Sequence, residues 1–383
     1  MRSGVPWQRR QRVCAVMSLV AGTLVNVGAE SPFEYGGAIS RSQSVEYGHG
    51  PRVRYFADIR LKRQPSDGIL FEKWRESATL ERGLALFRRT FIPSTGLGPE
   101  FNATSCASCH NTPTTGGSGG AHAFVDWVYQ GTDDRLGSAG VRFRLDANGN
   151  TVPLISTPTF RRRPPALFGV GLLEAIPDRE LRSRSDPLDD DHEGVSGRLP
   201  ERFGCVGRFG WQSTACDIES FVVWALSNEL GIISAPKRRR EISDEDLSAL
   251  VTYVRQLPPP AAATSSQGSE IFERVMCAEC HRPVTGMARQ DGTALPVRAY
   301  TDLLLHEMGN GPREGERDWR SEFRTPPLWG IATTGPPYLH DGSAKTLEDA
   351  IVRHDGEAAM SRRLYDALPA DQKQTLLRFV STR

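Results

Sequence analysis

The chain has 383 residues, a formal net charge of +1 and 24% charged residues. That length suits two domains at roughly 100 to 200 residues each. The near-balanced charge provides no basic face to neutralise phosphates and so excludes a nucleic-acid binder.

The chain opens with arginines up to Arg12, an apolar stretch from Val13 to Val27 and small residues near Ala29, the layout of a secretory signal. The apolar stretch is about 15 residues long, short of the roughly 20 that span a bilayer. Residues 1–29 are therefore read as a removed signal, with an uncleaved anchor as the alternative. The expected location is the periplasm, with no membrane span after signal removal.

A first domain is expected over 30–257, including an N-terminal extension. Gly83-Leu-Ala-Leu-Phe87 is a glycine followed by an amphipathic turn, and Cys106-Ala-Ser-Cys109-His110 follows. Val141-Arg-Phe-Arg-Leu145 alternates and Asp146-Ala-Asn-Gly149 supplies a turn, which predicts a short β-hairpin inserted in this domain. Asp189-Asp-Asp-His-Glu193-Gly194 reads as a calcium loop or as a solvated acidic turn, since the full alternation and the closing bidentate Glu are missing. Cys205 and Cys216 pair as a disulfide in an oxidising compartment. Ser243 caps a helix carrying Leu247, Leu250, Val251, Val254 and Leu257.

Pro258 to Ser266 has linker composition, and a second domain is expected over 267–383. It repeats the first: Gly268-Ser-Glu-Ile-Phe272 precedes Cys277-Ala-Glu-Cys280-His281, and Arg324-Thr-Pro-Pro-Leu-Trp-Gly330 answers Arg163-Pro-Pro-Ala-Leu-Phe-Gly169. A closing helix places Leu376, Leu377, Phe379 and Val380 on its apolar side. The expected class is mainly α: two tandem cytochrome c-like domains with the hairpin in the first.

In Cys-x-x-Cys-His both thiols can add to the vinyl groups of one haem, and the adjacent histidine ligates the iron. Two covalent haem c groups follow, on Cys106, Cys109, Cys277 and Cys280, with His110 and His281 as ligands. One zinc held by the four cysteines would leave both histidines unexplained. His354 lies 73 residues after His281, and the same spacing after His110 reaches Ser183. That asymmetry predicts one bis-histidine haem that transfers electrons and one of different character.

Gly96-Leu-Gly-Pro99, Phe101-Asn102-Ala103, Gly169-Val-Gly-Leu-Leu-Glu-Ala-Ile176, Gly207-Arg-Phe-Gly-Trp211, Tyr300-Thr-Asp-Leu-Leu-Leu-His306-Glu-Met-Gly309 and Tyr338-Leu-His-Asp-Gly342 together resemble the peroxidase-like di-haem oxidoreductases. These are relatives of bacterial di-haem cytochrome c peroxidases and of the di-haem enzyme that matures methylamine dehydrogenase. The resemblance runs from about residue 70 to the C-terminus and departs at Gln212, where the family more often has lysine. It implies that His354 is the far-side ligand of the second haem, against a surface histidine beside Asp355. It implies that Glu174 is the carboxylate assisting peroxide cleavage, against a helix-surface glutamate capping a turn. It implies that His122 is a loop histidine blocking the first iron until reduction, against an exposed residue on a glycine loop. His306 and His340 lie in family motifs near the second haem, as holders of propionates or in other structural roles, with ligation as the alternative, and Trp127, Trp211, Trp319 and Trp329 are candidates to bridge the haems.

The expected function is peroxidase-like oxidoreduction. A small redox protein or other electron donor feeds the second haem, and the first acts on hydrogen peroxide or another small oxidant. A pure electron-transfer cytochrome and a radical-mediated oxidase of a protein or organic substrate are the rivals.

Overall fold

The computed structural model describes residues 78–120, 123–128, 138–139, 142–154, 160–202, 204–232, 241–260, 266–290, 293–309 and 321–383. The expected signal, the extension to residue 77, most of the linker, His122 and Trp319 lie outside the described residues, as does the side chain of Trp127.

The principal helices are α1 (Ala78–Arg88), α2 (Val170–Glu174), α3 (Ile218–Glu229), α4 (Asp244–Arg255), α5 (Ser269–Arg274), α6 (Leu347–Val352) and α7 (Ala370–Ser381). Small antiparallel sheets of two or three strands lie between them. Among the described residues no helix is long and apolar enough to cross a membrane.

The helix over 244–255 forms where the apolar spacing places it. The Ser243 hydroxyl accepts the Asp246 N–H at 3.1 Å, and three acidic residues fill the first turn, complementing the helix dipole. Its buried face, Leu250, Val251 and Val254, meets Leu86 and Phe87 of α1 in one hydrophobic cluster. The α1–α4 crossing is close because residue 83 is glycine: a Cβ there would lie 2.2 Å from the Ala249 carbonyl oxygen. A second cluster joins Phe272, Leu328, Tyr365, Leu376, Phe379 and Val380. The two resemble each other in detail, for Phe87 meets Tyr253 and Phe272 meets Phe379, each pair with ring centroids 5.3 Å apart.

The predicted hairpin is present. Phe143–Leu145 pairs antiparallel with Thr151–Pro153, and the Asp146 carboxylate closes the turn by accepting the N–H groups of Asn148 and Asn150, each at 2.8 Å. Glu100–Phe101 adds a third strand to it. Two further pairings were not legible in the sequence: Gly286–Gln290 with Thr293–Val297 and Leu305–Glu307 with Glu322–Arg324. The former hairpin contributes Ala288 and Val297 to the first cluster, and Met287 N–H donates to Glu180 at 2.8 Å, so the later half of the chain packs onto the earlier one.

The internal repeat is most exact over 209–225 and 338–354, which run without a gap at an offset of 129. Isolated bridges join Phe209 to Ala215 and Tyr338 to Ala344. Positive φ angles recur at Gly210 (83°) and Leu339 (68°), and again at Ser213 (50°) and Gly342 (70°). Asp217 caps α3 by accepting the Ser220 N–H at 2.6 Å, and Thr346 caps α6 by accepting the Asp349 N–H at 2.9 Å.

Candidate haem sites

Each cysteine motif forms one tight turn. Cys106–Ser108 is a 3₁₀ turn capped by the Ser105 hydroxyl, which accepts the Ser108 N–H at 3.0 Å; Cys277–Cys280 is a single α-turn. The following histidine donates its N–H back to the first cysteine carbonyl in both, at 3.0 Å for His110 and 2.9 Å for His281. Both thiols and the imidazole of each motif thereby line one continuous, mainly apolar cavity.

The histidine rings are held alike. His110 Nδ1 donates to the Pro165 carbonyl at 3.0 Å, and His281 Nδ1 donates to the Tyr300 carbonyl at 3.0 Å. A carbonyl can only accept, so the ring proton sits on Nδ1 and the Nε2 lone pair remains for a metal. Burial draws both imidazoles down to about 4, which keeps them neutral. Burial also pushes the Cys106, Cys109 and Cys277 thiols up to about 12 and raises that of Cys280. These sulfurs are unpaired, whereas Cys205 and Cys216 form the expected disulfide. Among the described residues, the clusters of three metal-capable groups are Cys280–Asp302–His306 and Asp186–Asp189–Asp191; neither gathers the four thiols as one zinc would require. Two thiols and a free imidazole lone pair at each of two walls of an apolar cavity do fit two covalent haems.

α3 and α6 line the same cavity. Ile218, Phe221, Val222, Trp224 and Ala225 line it from one side, and Leu347, Ala350, Ile351, Arg353 and His354 from the other. These are the same five positions at the offset of 129. His354 Nδ1 donates to the Ala350 carbonyl at 2.7 Å, leaving Nε2 free. Burial lowers its pKa, and a charge on it would also disfavour charge on His281. The counterpart of His354 is therefore Ala225. Ser183, the residue reached by counting, is exposed and bonds the Glu180 carbonyl. Counting fails because 115 residues separate His110 from Ala225, against 73 between His281 and His354.

Glu174 is placed differently from the expectation. Its carboxylate accepts from Arg255 Nε at 2.5 Å and from the Ile218 N–H at 2.9 Å. It thus ties α4 to the N-terminus of α3 and is not among the cavity-lining residues. The carboxylate that does line the first half of the cavity is Glu229, which accepts from the Asn102 side chain at 2.8 Å.

His306 is held between Asp302 and Glu357, both at 2.9 Å, with the Cys280 sulfur 3.7 Å away. Burial opposes its charge, but the Cys280 sulfur and the Asp302 carboxylate outweigh burial and raise the pKa well above the ordinary value. Glu357 is held down at about 2: burial opposes, and the hydrogen bonds from His306 and Ser196 prevail. No sequence pattern pointed to this cluster, because Glu357 lies 51 residues beyond His306 in the chain. His340 stacks on Phe323 at 3.7 Å and faces Trp211 at 6.2 Å. Of the bridging candidates, Trp211 and Trp329 line the cavity, and Trp224 joins them. Asp186, Asp189 and Asp191 gather their carboxylates, but these already accept the backbone N–H groups of Asp190, Gly194 and Glu193.

Residues 235–382 match a family model described as "Di-haem oxidoreductase, putative peroxidase". No curated protein matches. Among solved structures, hydrazine synthase of Kuenenia stuttgartiensis pressurised with 20 bar xenon aligns at 17% identity over 84% of this chain and 98% of that one, with a TM-score of 0.40. A MauG-like protein associated with microbial copper homeostasis aligns at 18% identity over 82% and 91%, with a TM-score of 0.41. A variant of the diheme peroxidase BthA from Burkholderia thailandensis E264 aligns at 17% identity over 72% and 71%, with a TM-score of 0.36. The likeness to the di-haem oxidoreductase family thus rests on residues 235–382, the later part of the chain.

Proposed function

We propose that this chain is an exported, periplasmic enzyme of two cytochrome c-like domains, 30–257 and 267–383, that reduces hydrogen peroxide or a similar small oxidant. Haem c joined to Cys106 and Cys109 is the reacting centre, and haem c joined to Cys277 and Cys280 passes electrons from a small redox protein. The observation that carries this division is the pair of far-side positions, Ala225 in one half and His354 in the other.

When bound, the two haems supply two irons that change valence, matching the two electrons that cleaving the peroxide O–O bond consumes. The protein decides which iron meets the oxidant. His354, oriented by its bond to the Ala350 carbonyl, would hold the second iron, and the methyl group of Ala225 would offer the first no ligand. Glu174 acts as a positioning residue, because it holds α3 and with it Ala225 against α4. Neutral Gln212 lines the cavity where the related enzymes more often carry a lysine, so no positive charge is delivered from that position. His122 is assigned to the loop that would shield the first haem before reduction.

Electron paramagnetic resonance and optical spectra of the purified holoprotein test the proposal. Once the second haem has been reduced, the first is expected to be high-spin and the second low-spin, with only the high-spin signal responding to peroxide. Two low-spin haems, unchanged by reduction and peroxide, would instead establish a pure electron-transfer cytochrome.

A further inference from the structure

Arg163 and Arg324 head the two repeated Pro-Pro segments, 161 residues apart. Both are buried, 6% and 5% exposed, and both line the cavity. Arg163 donates through Nε to the Gly119 carbonyl at 3.1 Å and through Nη2 to the Thr334 carbonyl. Arg324 donates through Nε to the Gly210 carbonyl at 3.0 Å and through Nη1 to the Thr325 carbonyl at 3.1 Å. Every acceptor is a neutral backbone oxygen. Among the described residues neither guanidinium has a carboxylate within ion-pair distance, whereas Arg208 pairs with Asp178, Arg255 with Glu174 and Arg198 with Glu322.

A guanidinium stays charged at any ordinary pH, so burying it without an anion carries a large desolvation cost. Burial pulls Arg163 and Arg324 down to about 10, with only minor opposition from Tyr338 and Asp302 respectively. Asp302 is itself engaged by His306. The backbone around both arginines is fixed across the two halves by a reciprocal pair of hydrogen bonds: Arg163 N–H to the His340 carbonyl at 2.8 Å, and Arg324 N–H to the Trp211 carbonyl at 2.7 Å. These guanidiniums are therefore set in place in the protein and still lack their counter-anion.

We propose that Arg163 and Arg324 are carboxylate-binding residues, each anchoring a propionate of one haem in this cavity. The inference rests on the two-haem reading above. Two haems bring four carboxylates, and a guanidinium presents the planar fork of donors that matches a carboxylate. The corresponding places of the two arginines in the repeat give one anchor to each haem.

The test uses full-length exported holoprotein with Arg163→Gln, Arg163→Lys, Arg324→Gln and Arg324→Lys. Haem content is measured by the pyridine haemochrome, both midpoint potentials by spectroelectrochemical titration, and the propionate bending bands by resonance Raman. Each Gln variant is expected to keep two haems, lower the potential of one haem as a cation that disfavours ferric iron is lost, and shift one propionate band. Each Lys variant keeps the charge and should hold the potential near wild type while still shifting the band. A merely structural arginine would change stability and leave potentials and bands alone. Gln variants with two haems, unaltered potentials and unaltered propionate bands would overturn the inference. Should a Gln variant fail to accumulate, unshifted bands in the matching Lys variant would overturn it equally. Wild-type protein carrying fewer than two haems would refute the two-haem reading itself.

Discussion

Segments 209–225 and 338–354 share their bridges, their left-handed residues and their helix caps, yet they end on different chemistry. Residue 225 and residue 354 hold the same place in the repeat, and both line the cavity that the two Cys-x-x-Cys-His turns also line. One half puts a methyl group there and the other an imidazole. On the proposed reading, function is assigned by a side chain on a repeated frame, and the frame alone would not reveal which half reacts. The halves differ in bracing too. The first clamps its far-side segment with Cys205–Cys216, while the second has Lys345 at the position of Cys216, its N–H bonded to Asp349 at 2.9 Å.

The strongest way to break the comparison is to make the halves alike. Ala225→His should close the first haem, replacing the high-spin ferric signal by a second low-spin one. Peroxide turnover should fall at least about 100-fold, as expected when the reacting position is lost. The reverse change, His354→Ala, should turn the second haem high-spin, allow it to bind carbon monoxide and raise its potential as a donor ligand is lost. Attachment at Cys277 and Cys280 should survive, and the first haem's spectrum should barely change. Spectra identical to wild type would place His354 off the iron.

Removing the clamp of the first half, with Cys205→Ser and Cys216→Ser together, should cost about 3 kcal/mol in denaturant unfolding. No such loss is available in the second half, whose bracing is electrostatic and therefore depends on pH. Glu357 has a folded pKa depressed to about 2, so its contribution is complete above the unfolded value of roughly 4.3 and disappears as pH falls from there toward 2. Thermal melts between pH 5 and pH 2.5 should show the wild type losing on the order of 1–3 kcal/mol more than Glu357→Gln. Parallel melts for the two proteins would show that the cluster adds nothing.

The smallest effect is expected at Glu174→Gln. Loss of the charged partner of Arg255 should lower stability by about 1–2 kcal/mol and leave both haem spectra intact. Peroxide turnover should change less than about threefold, because the group supports α3 from behind; a loss of about 100-fold would restore it to general acid–base catalysis.

The two attachment motifs, the capped helix over 244–255, the inserted hairpin and the disulfide were legible because each is encoded by neighbours within about a dozen residues. The far-side position of the first half was not, since the longer stretch after His110 defeats any argument from equal spacing. A gap-free comparison would have found it, because Glu219, Val222 and Val223 answer Glu348, Ile351 and Val352 just ahead of Ala225 and His354. Glu174 misled because an acid among apolar residues reads alike whether it faces a cavity or an arginine, and Arg255 lies 81 residues away. The Asp302–His306–Glu357 cluster was hidden for the same reason: Glu357 comes from the segment after α6, and Ser196, which bonds it at 2.6 Å, comes from the other half of the chain.

The gap-free repeat also bears on why such a protein is one chain. Two identical subunits facing each other across a cavity would be obliged to carry the same residue at both far-side positions, both open or both closed. Joining the copies covalently lifts that obligation: a substitution at residue 225 or 354 alone would make the proposed donor and acceptor out of equals. The reciprocal bonds from Arg163 to His340 and from Arg324 to Trp211 join the two halves alike, so the proposed asymmetry of the chemistry would be carried on a symmetric junction.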